Sequence, residues 1–408
     1  MQKPTNIPVL YLDNTATFGG AINSLLYLLR ALDKSRFTPI LVTAQPEEFL
    51  HRNFSFLKWR RVRIRLSWID NRIYKRITGL KFFSSGLPRK FVNRVRSVYW
   101  LLFITLPEAL RYWRIGRKYK VRLVHLNNIM GSQLAGILAA KMLKVPCIGH
   151  LRDFEEVDRV TKLYARLIDY HIAISSAIKE NLLNLDVPRE KIAVVYDAID
   201  LQDFDDTVSC DHVRRELKLD GVDNVFGIFG RIVPWKGIIE FVQSASLVIQ
   251  SVPNTIALVI GDCSDGDSGY LRKVEGLIAE YGLNEKIILT GYRTDIPALM
   301  KLMDVVVHAS SKPEPFGMVL IEAMAMQKPV VATKMGGPLD IIMDSQTGFL
   351  VAPDNPPEMA DAVKRLLVDK NLASDMGRKG KSRVVDMFTK ERYARQVEDV
   401  YFKLLKSD

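Results

Sequence analysis

Short apolar runs rich in Val, Ile and Leu alternate with amphipathic stretches along almost the whole chain. Each run has the length and composition of a buried strand, and the stretches between runs have helical periodicity. Because strands separated by helices pair in parallel, the alternation predicts doubly wound α/β sheets. The predicted strands lie at 7–12, 39–42, 122–126, 146–150, 171–174 and 194–196, and then at 225–229, 256–260, 286–289, 305–307 and 330–332.

A polar stretch at 197–223 interrupts this alternation, and we interpret it as the hinge between two domains. A chain of 408 residues is long enough for two or three domains. We expect a Rossmann-like N-terminal domain at 1–200, a Rossmann-like C-terminal domain at 201–385, and a final helix at 386–408 that packs back towards the first domain. Ligands bind at the carboxyl ends of parallel strands, so the two domains are expected to face a central cleft.

The segment at 51–120 is strongly basic and rich in aromatic residues. It holds 19 Lys and Arg against only two acids, Asp70 and Glu108, and it contains four of the five tryptophans. Cations attract anionic lipid headgroups and aromatic rings favour the membrane interface, so this insertion is expected to bind a membrane surface. Two alternatives remain open: a solvated basic insertion whose aromatic residues pack on the core, or a site for single-stranded nucleic acid.

The ends of the chain and its cysteines indicate a cytoplasmic protein. The N-terminus lacks the charged and apolar regions of a secretory signal, and no apolar run approaches the roughly 20 residues needed to span a bilayer. Cys147, Cys210 and Cys263 are far apart and odd in number, which predicts a reducing compartment without a disulfide framework or a zinc site. We therefore expect peripheral association with the inner face of the membrane.

Two carboxylates, Glu314 and Glu322, flank the start of a predicted helix at 318–326. Glu314 follows the strand at 305–307, and Glu322 lies about one turn inside the helix. The unpaired N–H groups and the positive dipole of the first turn favour an anion such as phosphate. Carboxylates accept hydrogen bonds from paired hydroxyls, so this stretch predicts a polyol bound beside a phosphate.

Cations follow another strand of the second half. Arg231 and Lys236 lie in the loop between the strand at 225–229 and the next helix, with a glycine on either side of the pair. Two cations and a helix N-terminus can neutralise a diphosphate. In the first half, Gly19 and Gly20 allow close approach of the backbone to a phosphate, and His150 ends a predicted strand.

These motifs together resemble the glycosyltransferase family four group, the group 1 enzymes. The resemblance rests on Gly230-Arg231 with Lys236-Gly237, Gly291-Tyr292-Arg293, the spacing of Glu314 and Glu322, Gly336-Gly337, and Thr347 to Val351. It covers nearly all of the second half and is thinner in the first. It implies the GT-B fold, a nucleotide-diphosphate sugar as donor substrate, and retention of the anomeric configuration.

The resemblance also implies roles for single residues. Arg231 and Lys236 would bind the diphosphate and stabilise the leaving nucleotide, and Glu314 would hold hydroxyls of the donor sugar. Glu322 would bind the ribose diol, and His150 would hydrogen-bond the transferred sugar, a role for which we prefer it to His125. The other expected donor contacts are Gly19, Gly20, Gly291, Tyr292, Arg293, Phe316, Gly317 and Met318.

We expect no obligatory cofactor and no essential divalent metal. No Asp-x-Asp triplet ends a predicted strand, so protein cations are expected to stabilise the charge that develops on the diphosphate. No nucleophile for a double displacement is evident, which favours attack from the same face of the sugar as the leaving group.

Three functions are compatible with the sequence. The favoured one is a retaining glycosyltransferase that modifies a lipid-linked or surface-polysaccharide acceptor at the cytoplasmic face of the membrane, in the synthesis of a cell-envelope glycan such as lipopolysaccharide or exopolysaccharide. The second is a nucleotide-sugar epimerase, which needs no membrane patch. The third is a non-catalytic sugar-nucleotide-binding relative, against which the joint presence of the site residues argues. A dehydrogenase is disfavoured because no Gly-x-Gly-x-x-Gly follows a strand.

Overall fold

The computed structural model describes residues 6–14, 19–61, 97–128, 130–205, 207–263 and 268–405. Their contacts divide the chain into two compact units. The first unit extends to Ala173, resumes at Ile178–Val194, and includes the last helix from Ala394 onwards. The second unit consists of Ile174–Ala177 and Val195–Tyr393.

The first unit is built on a seven-stranded parallel sheet in the order β3-β2-β1-β4-β5-β6-β7. The strands are β1 (Ile7–Asp13), β2 (Phe37–Thr43), β3 (Lys58–Arg61), β4 (Leu123–Asn127), β5 (Cys147–Leu151), β6 (Tyr170–Ala173) and β7 (Ile192–Val194). The helices are α1 (Gly20–Ala31), α2 (Glu47–Phe54), α3 (Leu106–Lys118), α4 (Leu134–Leu143), α5 (Arg159–Leu167) and α6 (Ser176–Asn184), of which α6 begins in the second unit.

The second unit is built on a six-stranded parallel sheet in the order β10-β9-β8-β11-β12-β13. Its strands are β8 (Asn224–Phe229), β9 (Thr255–Ile260), β10 (Ile287–Gly291), β11 (Val305–His308), β12 (Val330–Thr333) and β13 (Gly348–Val351). Its helices are α7 (Asp211–Glu216), α8 (Ile238–Ser251), α9 (Ser268–Glu280), α10 (Ile296–Leu302), α11 (Met318–Ala325), α12 (Pro338–Ile341), α13 (Pro356–Val368) and α14 (Lys370–Met387); α15 (Lys390–Leu405) begins here and ends in the first unit.

The apolar runs became central strands because both faces of each sheet are covered by helices. Val9, Leu10 and Tyr11 of β1 are fully buried, and so are Val305 and Val306 of β11. A strand buried on both faces needs apolar side chains at every position, which is why the runs are continuous rather than alternating. The expected doubly wound α/β architecture is confirmed.

Two edge strands, β3 and β13, are absent from the sequence prediction. The edge strand β3 reads Lys-Trp-Arg-Arg, and no strand is predicted at β13, where a glycine opens the run. The predicted hinge at 197–223 contains the short helix α7. Of the basic insertion, 62–96 lies outside the described residues. Across the ranges given above, no helix is long and apolar enough to cross a bilayer.

Candidate active site

Three polar side chains surround the carboxylate of Glu314 in the second unit, and together the four residues form the Glu314 cluster. The Oε2 atom of Glu314 lies 2.7 Å from Lys236 Nζ, 3.1 Å from His308 Nε2 and 3.1 Å from Ser310 Oγ. Lys236 comes from the loop after β8, whereas His308, Ser310 and Glu314 come from the end of β11 and the loop that follows. β8 and β11 are neighbours in the sheet, so the fold brings their carboxyl ends together.

The surroundings of Glu314 keep it ionised. Burial opposes the charged form, but the hydrogen bond from His308 and the charge of Lys236 outweigh it, so the pKa of Glu314 lies well below its ordinary value. Three groups converge on one oxygen, Oε2. This geometry fixes the orientation of a buried carboxylate whose remaining lone pairs can accept hydrogen bonds from a ligand.

The Glu314 loop is held in place by close packing against two glycines. Gly337 N donates to Glu314 O at 2.8 Å, and Glu314 forms an isolated bridge with Gly336. A Cβ on Gly336 would lie 2.2 Å from Glu314 O, and one on Gly337 would lie 2.0 Å from Phe316 O. Gly336 and Gly337 are therefore required by the path of the loop.

Glu322 lies one turn into α11 and is only partly exposed. Burial raises the pKa of its carboxyl to about 7. Within the described part of the chain, the carboxyl has no hydrogen-bond or ion-pair partner to offset that burial. A buried carboxyl without such a partner is suited to bind a ligand that donates hydrogen bonds to it.

Arg231 and Lys236 belong to the same loop but differ in environment. Arg231 is exposed directly after Gly230, whereas the side chain of Lys236 is only 18% exposed and its Nζ lies 4.3 Å from the centre of the Trp235 ring. Gly237, which follows Lys236 and precedes α8, has φ +71°, and a Cβ there would lie 1.8 Å from Ala309 O. That close approach holds the Lys236 loop against the end of β11.

The expected contacts after β10 are placed differently. β10 is the outer strand of its sheet, with β9 between it and β8. Tyr292 is 68% exposed. The guanidinium of Arg293 bonds both Glu216 and Asp295, and these hydrogen bonds raise the pKa of Arg293 above its ordinary value. Arg293 thus joins α7 to the start of α10, and its guanidinium is already engaged by two carboxylates.

The start of α11 offers backbone rather than side chains. The ring of Phe316 is 2% exposed and packs against Tyr196 and Phe388. Gly317, at the N-cap, has φ +111°, a conformation that favours glycine. Phe316, Gly317 and Met318 can therefore contribute their N–H groups to an anion at the helix N-terminus.

In the first unit, His150 lies near the end of β5 and is fully buried. Its Nδ1 lies 3.1 Å from His125 Nε2, so the two histidines that the sequence presented as alternatives are hydrogen-bonded to each other. Gly19 caps α1 and Gly20 begins it, and no side chain caps the N–H groups of that first turn. The glycines follow β1, whereas His125 and His150 lie within β4 and β5, and these three strands are neighbours in the sheet.

Sequence reasoning missed two members of the Glu314 cluster. Neither His308 nor Ser310 was among the predicted site residues. Both lie within six residues of Glu314 in sequence, which was the available signal, but their convergence depends on how the loop folds back on β11. Among the residues with described positions, no group of three His, Cys, Asp or Glu could hold a metal ion, and metal independence stays a prediction.

Comparison with known proteins identifies the chain by its two halves. Residues 18–203 match the model of Glycosyltransferase Family 4, and residues 211–383 match the model of Glycosyl transferases group 1. The chain is 29% identical over 247 residues to the capsular polysaccharide biosynthesis glycosyltransferase CapM of Staphylococcus aureus, covering 58% of this chain and 62% of CapM. It is also 29% identical to the lipopolysaccharide core biosynthesis mannosyltransferase LpsB of Rhizobium meliloti, covering 60% of this chain and 69% of LpsB.

The fold resembles that of solved glycosyltransferases over its full length. The crystal structure of Anabaena HepE in complex with UDP-glucose superposes with a TM-score of 0.78 at 22% identity, covering 98% of this chain and 100% of HepE. This likeness shows that the two parallel sheets form the expected GT-B fold.

Proposed function

The chain belongs to the group 1 glycosyltransferases, and we propose that it transfers a sugar, with retention of anomeric configuration, from a nucleotide-diphosphate sugar to a lipid-linked or surface-polysaccharide acceptor. The observation that carries the proposal is the buried Glu314 carboxylate, which Lys236 and His308 hold at the carboxyl end of β11 beside the N-terminus of α11. This arrangement brings together a carboxylate that can accept hydrogen bonds from sugar hydroxyls, the ammonium of Lys236, and the N–H groups at the start of α11. A sugar diphosphate requires all three kinds of group.

Each part of the donor has a matching group in the second unit. Arg231 and Lys236 bind the diphosphate, Glu314 binds hydroxyls of the sugar, and Glu322 binds the ribose diol. The raised pKa of Glu322 supports the last assignment, because two ribose hydroxyls would supply hydrogen bonds to its buried carboxylate. The crystal structure of HepE with UDP-glucose supports a donor of this class.

Charge separation explains the chemistry. Breaking the bond between the anomeric carbon and the phosphate oxygen leaves negative charge on the nucleoside diphosphate and positive character on the sugar. Arg231, Lys236 and the N–H groups at the start of α11 stabilise the former electrostatically. The acceptor hydroxyl attacks from the face that the diphosphate leaves, and protein cations replace a divalent metal.

Lys236 changes partners during this cycle. Its ammonium lies 2.7 Å from Glu314 Oε2. When Lys236 turns to the diphosphate, His308 and Ser310 still bond the same oxygen, so the carboxylate keeps its orientation. Glu314 is then able to hold the sugar without a reorganisation of the loop.

The first unit is assigned to the acceptor and to the membrane. Within the basic segment, the turn of π-helix at Leu101–Thr105 presents exposed apolar side chains: Leu101 is 39% exposed, Leu102 49% and Phe103 65%. Exposed apolar residues next to basic and aromatic ones favour an anionic bilayer surface. CapM and LpsB, which act in capsular and lipopolysaccharide core biosynthesis by their names, support a cell-envelope acceptor.

A ligand screen tests the donor assignment. Uridine, guanosine, adenosine and thymidine diphosphates and their sugars are added separately, and thermal unfolding is followed. We expect the diphosphate of one nucleoside to raise the midpoint of thermal unfolding. The sugar of the corresponding nucleotide sugar should be transferred with retention of its anomeric configuration, which proton NMR of the product shows. If none of the nucleotides or nucleotide sugars raised the midpoint of unfolding, the donor assignment would be contradicted.

Vesicle binding tests the membrane assignment. Sedimentation with vesicles containing anionic lipid is measured for the wild type, for a variant with Arg60, Arg61, Arg63 and Arg65 neutralised, and for Phe103→Asp. Both variants are expected to bind more weakly at low salt. A variant with four neutralised lysines on the second unit (Lys364, Lys370, Lys379 and Lys381) is the control, and equal loss in that variant would argue against a specific surface.

A further inference from the structure

Arg383 of α14 binds the carbonyl end of the short helix α12. Its Nε donates to Ile341 O at 2.6 Å, and its Nη2 donates to Asp340 O at 2.7 Å. Asp340 and Ile341 are the last two residues of α12. The final carbonyls of a helix have no partner within that helix, and a cation there also complements the helix dipole. Arg383 thus caps the C-terminus of α12 from 42 residues away in sequence.

Helix α12 depends on outside contacts because it is only one turn long. It consists of the four residues Pro338–Ile341. Fixing the first turn of a helix costs more conformational entropy than its own hydrogen bonds return, so an isolated turn does not persist. The planar guanidinium of Arg383 presents two N–H groups to two carbonyls in a fixed geometry. Arg383 therefore contributes stability that α12 cannot supply itself.

Helix α12 begins where the Glu314 loop is supported. It starts directly after Gly337, whose N donates to Glu314 O at 2.8 Å, and Gly336 forms an isolated bridge with Glu314. The carbonyl of Gly337 in turn accepts from Asp340 N at 2.9 Å. Asp340 therefore contacts Arg383 through its carbonyl and Gly337 through its N–H. A short series of hydrogen bonds thus joins the guanidinium to the Glu314 loop.

Aromatic contacts provide a second connection between Arg383 and the same loop. The guanidinium carbon of Arg383 lies 5.8 Å from the centre of the Phe388 ring. Phe388 meets Phe316 edge-on, with the ring centres 5.9 Å apart, and both rings are buried. Phe316 lies two residues after Glu314 in the loop. Arg383 is therefore linked to the Glu314 loop through α12 and through this pair of rings.

We propose that Arg383 is a positioning residue for Glu314: it fixes α12 and the Gly336-Gly337 turn, and that turn fixes the Glu314 loop. The consequence for sugar binding rests on the proposed function, whereas the effect on the loop does not. Glu314 is assigned to hydroxyls of the sugar, and Arg231 and Lys236 are assigned to the diphosphate. Loss of the Arg383 guanidinium should therefore weaken the contact with the sugar more than the contact with the diphosphate.

Hydrogen exchange of the protein without donor tests the positioning role. Arg383→Met keeps an unbranched apolar stem beside Phe388 and removes the guanidinium. We expect the amides of residues 337–342 to exchange with deuterium about tenfold faster in this variant, while the amides of β11 exchange as in the wild type. Arg378→Met is the matched control. Arg378 also lies on α14, but its side chain is 68% exposed and pairs with Asp375, so its loss should change exchange in neither segment.

Calorimetry on the same variants tests the consequence for the donor. The probes are the nucleoside diphosphate that stabilises the wild type in the ligand screen and the corresponding nucleotide sugar. Arg383→Met should bind the nucleotide sugar about tenfold more weakly, and the nucleoside diphosphate less than about threefold more weakly. The proposal is overturned by unchanged exchange at 337–342, by an unchanged affinity for the nucleotide sugar, or by an equal loss of affinity for both ligands. If exchange changes as expected but no nucleotide binds the wild type, the proposed function fails and the positioning role stands.

Discussion

The ammonium of Lys236 lies 2.7 Å from Glu314 Oε2, and this ion pair joins loops that are 78 residues apart in sequence. Both side chains are mostly buried, with 18% and 11% of their surfaces exposed. A buried ion pair adds little net stability, but removing one partner leaves the other charge uncompensated. The pair therefore links the residue that we propose binds the diphosphate to the one that we propose binds the sugar, and disturbing either residue should affect both.

Replacing Arg231 and Lys236, the two cations proposed to bind the diphosphate, should separate effects on catalysis from effects on stability. Arg231→Ala removes an exposed side chain and should leave the unfolding midpoint unchanged. Lys236→Met uncovers the Glu314 carboxylate and should lower the free energy of unfolding by about 1–3 kcal/mol. Each change should lower kcat by about 100-fold. Denaturant unfolding and steady-state kinetics measure the two effects; normal turnover in Arg231→Ala would remove that residue from the site.

Glu322→Gln should change how stability depends on pH. Burial raises the pKa of Glu322 from an ordinary 4.5 to about 7, so between these values the folded state binds more protons than the unfolded chain. The free energy of unfolding therefore falls as the pH rises through this window. Glutamine cannot ionise, so from pH 5 to pH 8 the wild type should lose on the order of 2 kcal/mol relative to the variant. Urea titrations measure both proteins at the two pH values. If the difference in free energy of unfolding between the wild type and the variant is the same at pH 5 and pH 8, burial does not raise the pKa of Glu322.

His308 should act by orienting Glu314 rather than by packing. His308→Leu keeps an apolar side chain at the end of β11 but removes the donor to Glu314 Oε2. The expected result is a kcat/KM for the donor lower by about tenfold or more, because a hydrogen bond to a charged group contributes about 1.5–3 kcal/mol. His308→Gln restores an N–H donor and should recover most of the activity. If leucine and glutamine behave alike, the hydrogen bond is not the cause.

Gly336, which packs against the Glu314 loop, and Gly282, which lies in open space, allow a matched pair of alanine substitutions. Gly336 has φ +69° and no room for a Cβ, whereas Gly282 has φ +67° and open space around it. Alanine at either position meets the same left-handed strain, about 1–2 kcal/mol. Only Gly336→Ala should displace Glu314 and weaken donor binding, by about tenfold or more in calorimetry. Equal donor affinity in the two variants would show that the loop tolerates the shift.

Strands could be predicted from local sequence where burial on both faces of the sheet requires them to be apolar. Central strands such as β1 and β11 need apolar residues on both faces, and they were predicted within about two residues. The edge strand β3 pairs with a neighbour on one side only, and its sequence Lys-Trp-Arg-Arg carries no strand pattern. The doubly wound architecture was thus predictable, while its periphery was not.

Within the site, sequence motifs located Glu314 and Lys236 but could not show what they touch. The contact of His308 with Glu314 depends on the curvature of one loop, which the Gly336 contact sets from 22 residues away. Arg293 carries a family motif, yet it is bonded to Glu216 in a helix 77 residues distant. Partners of this kind come from tertiary packing, so no local pattern announces them.

Donor binding by the second unit is the central claim, and calorimetric titration of the stabilising nucleotide sugar tests it most directly. The double variant Arg231→Ala with Lys236→Ala is compared with the wild type, after circular dichroism has shown that both are folded. We predict that the wild type binds the donor and that the double variant binds it at least 100-fold more weakly. Equal affinity in the two proteins would contradict the assignment of the diphosphate to Arg231 and Lys236.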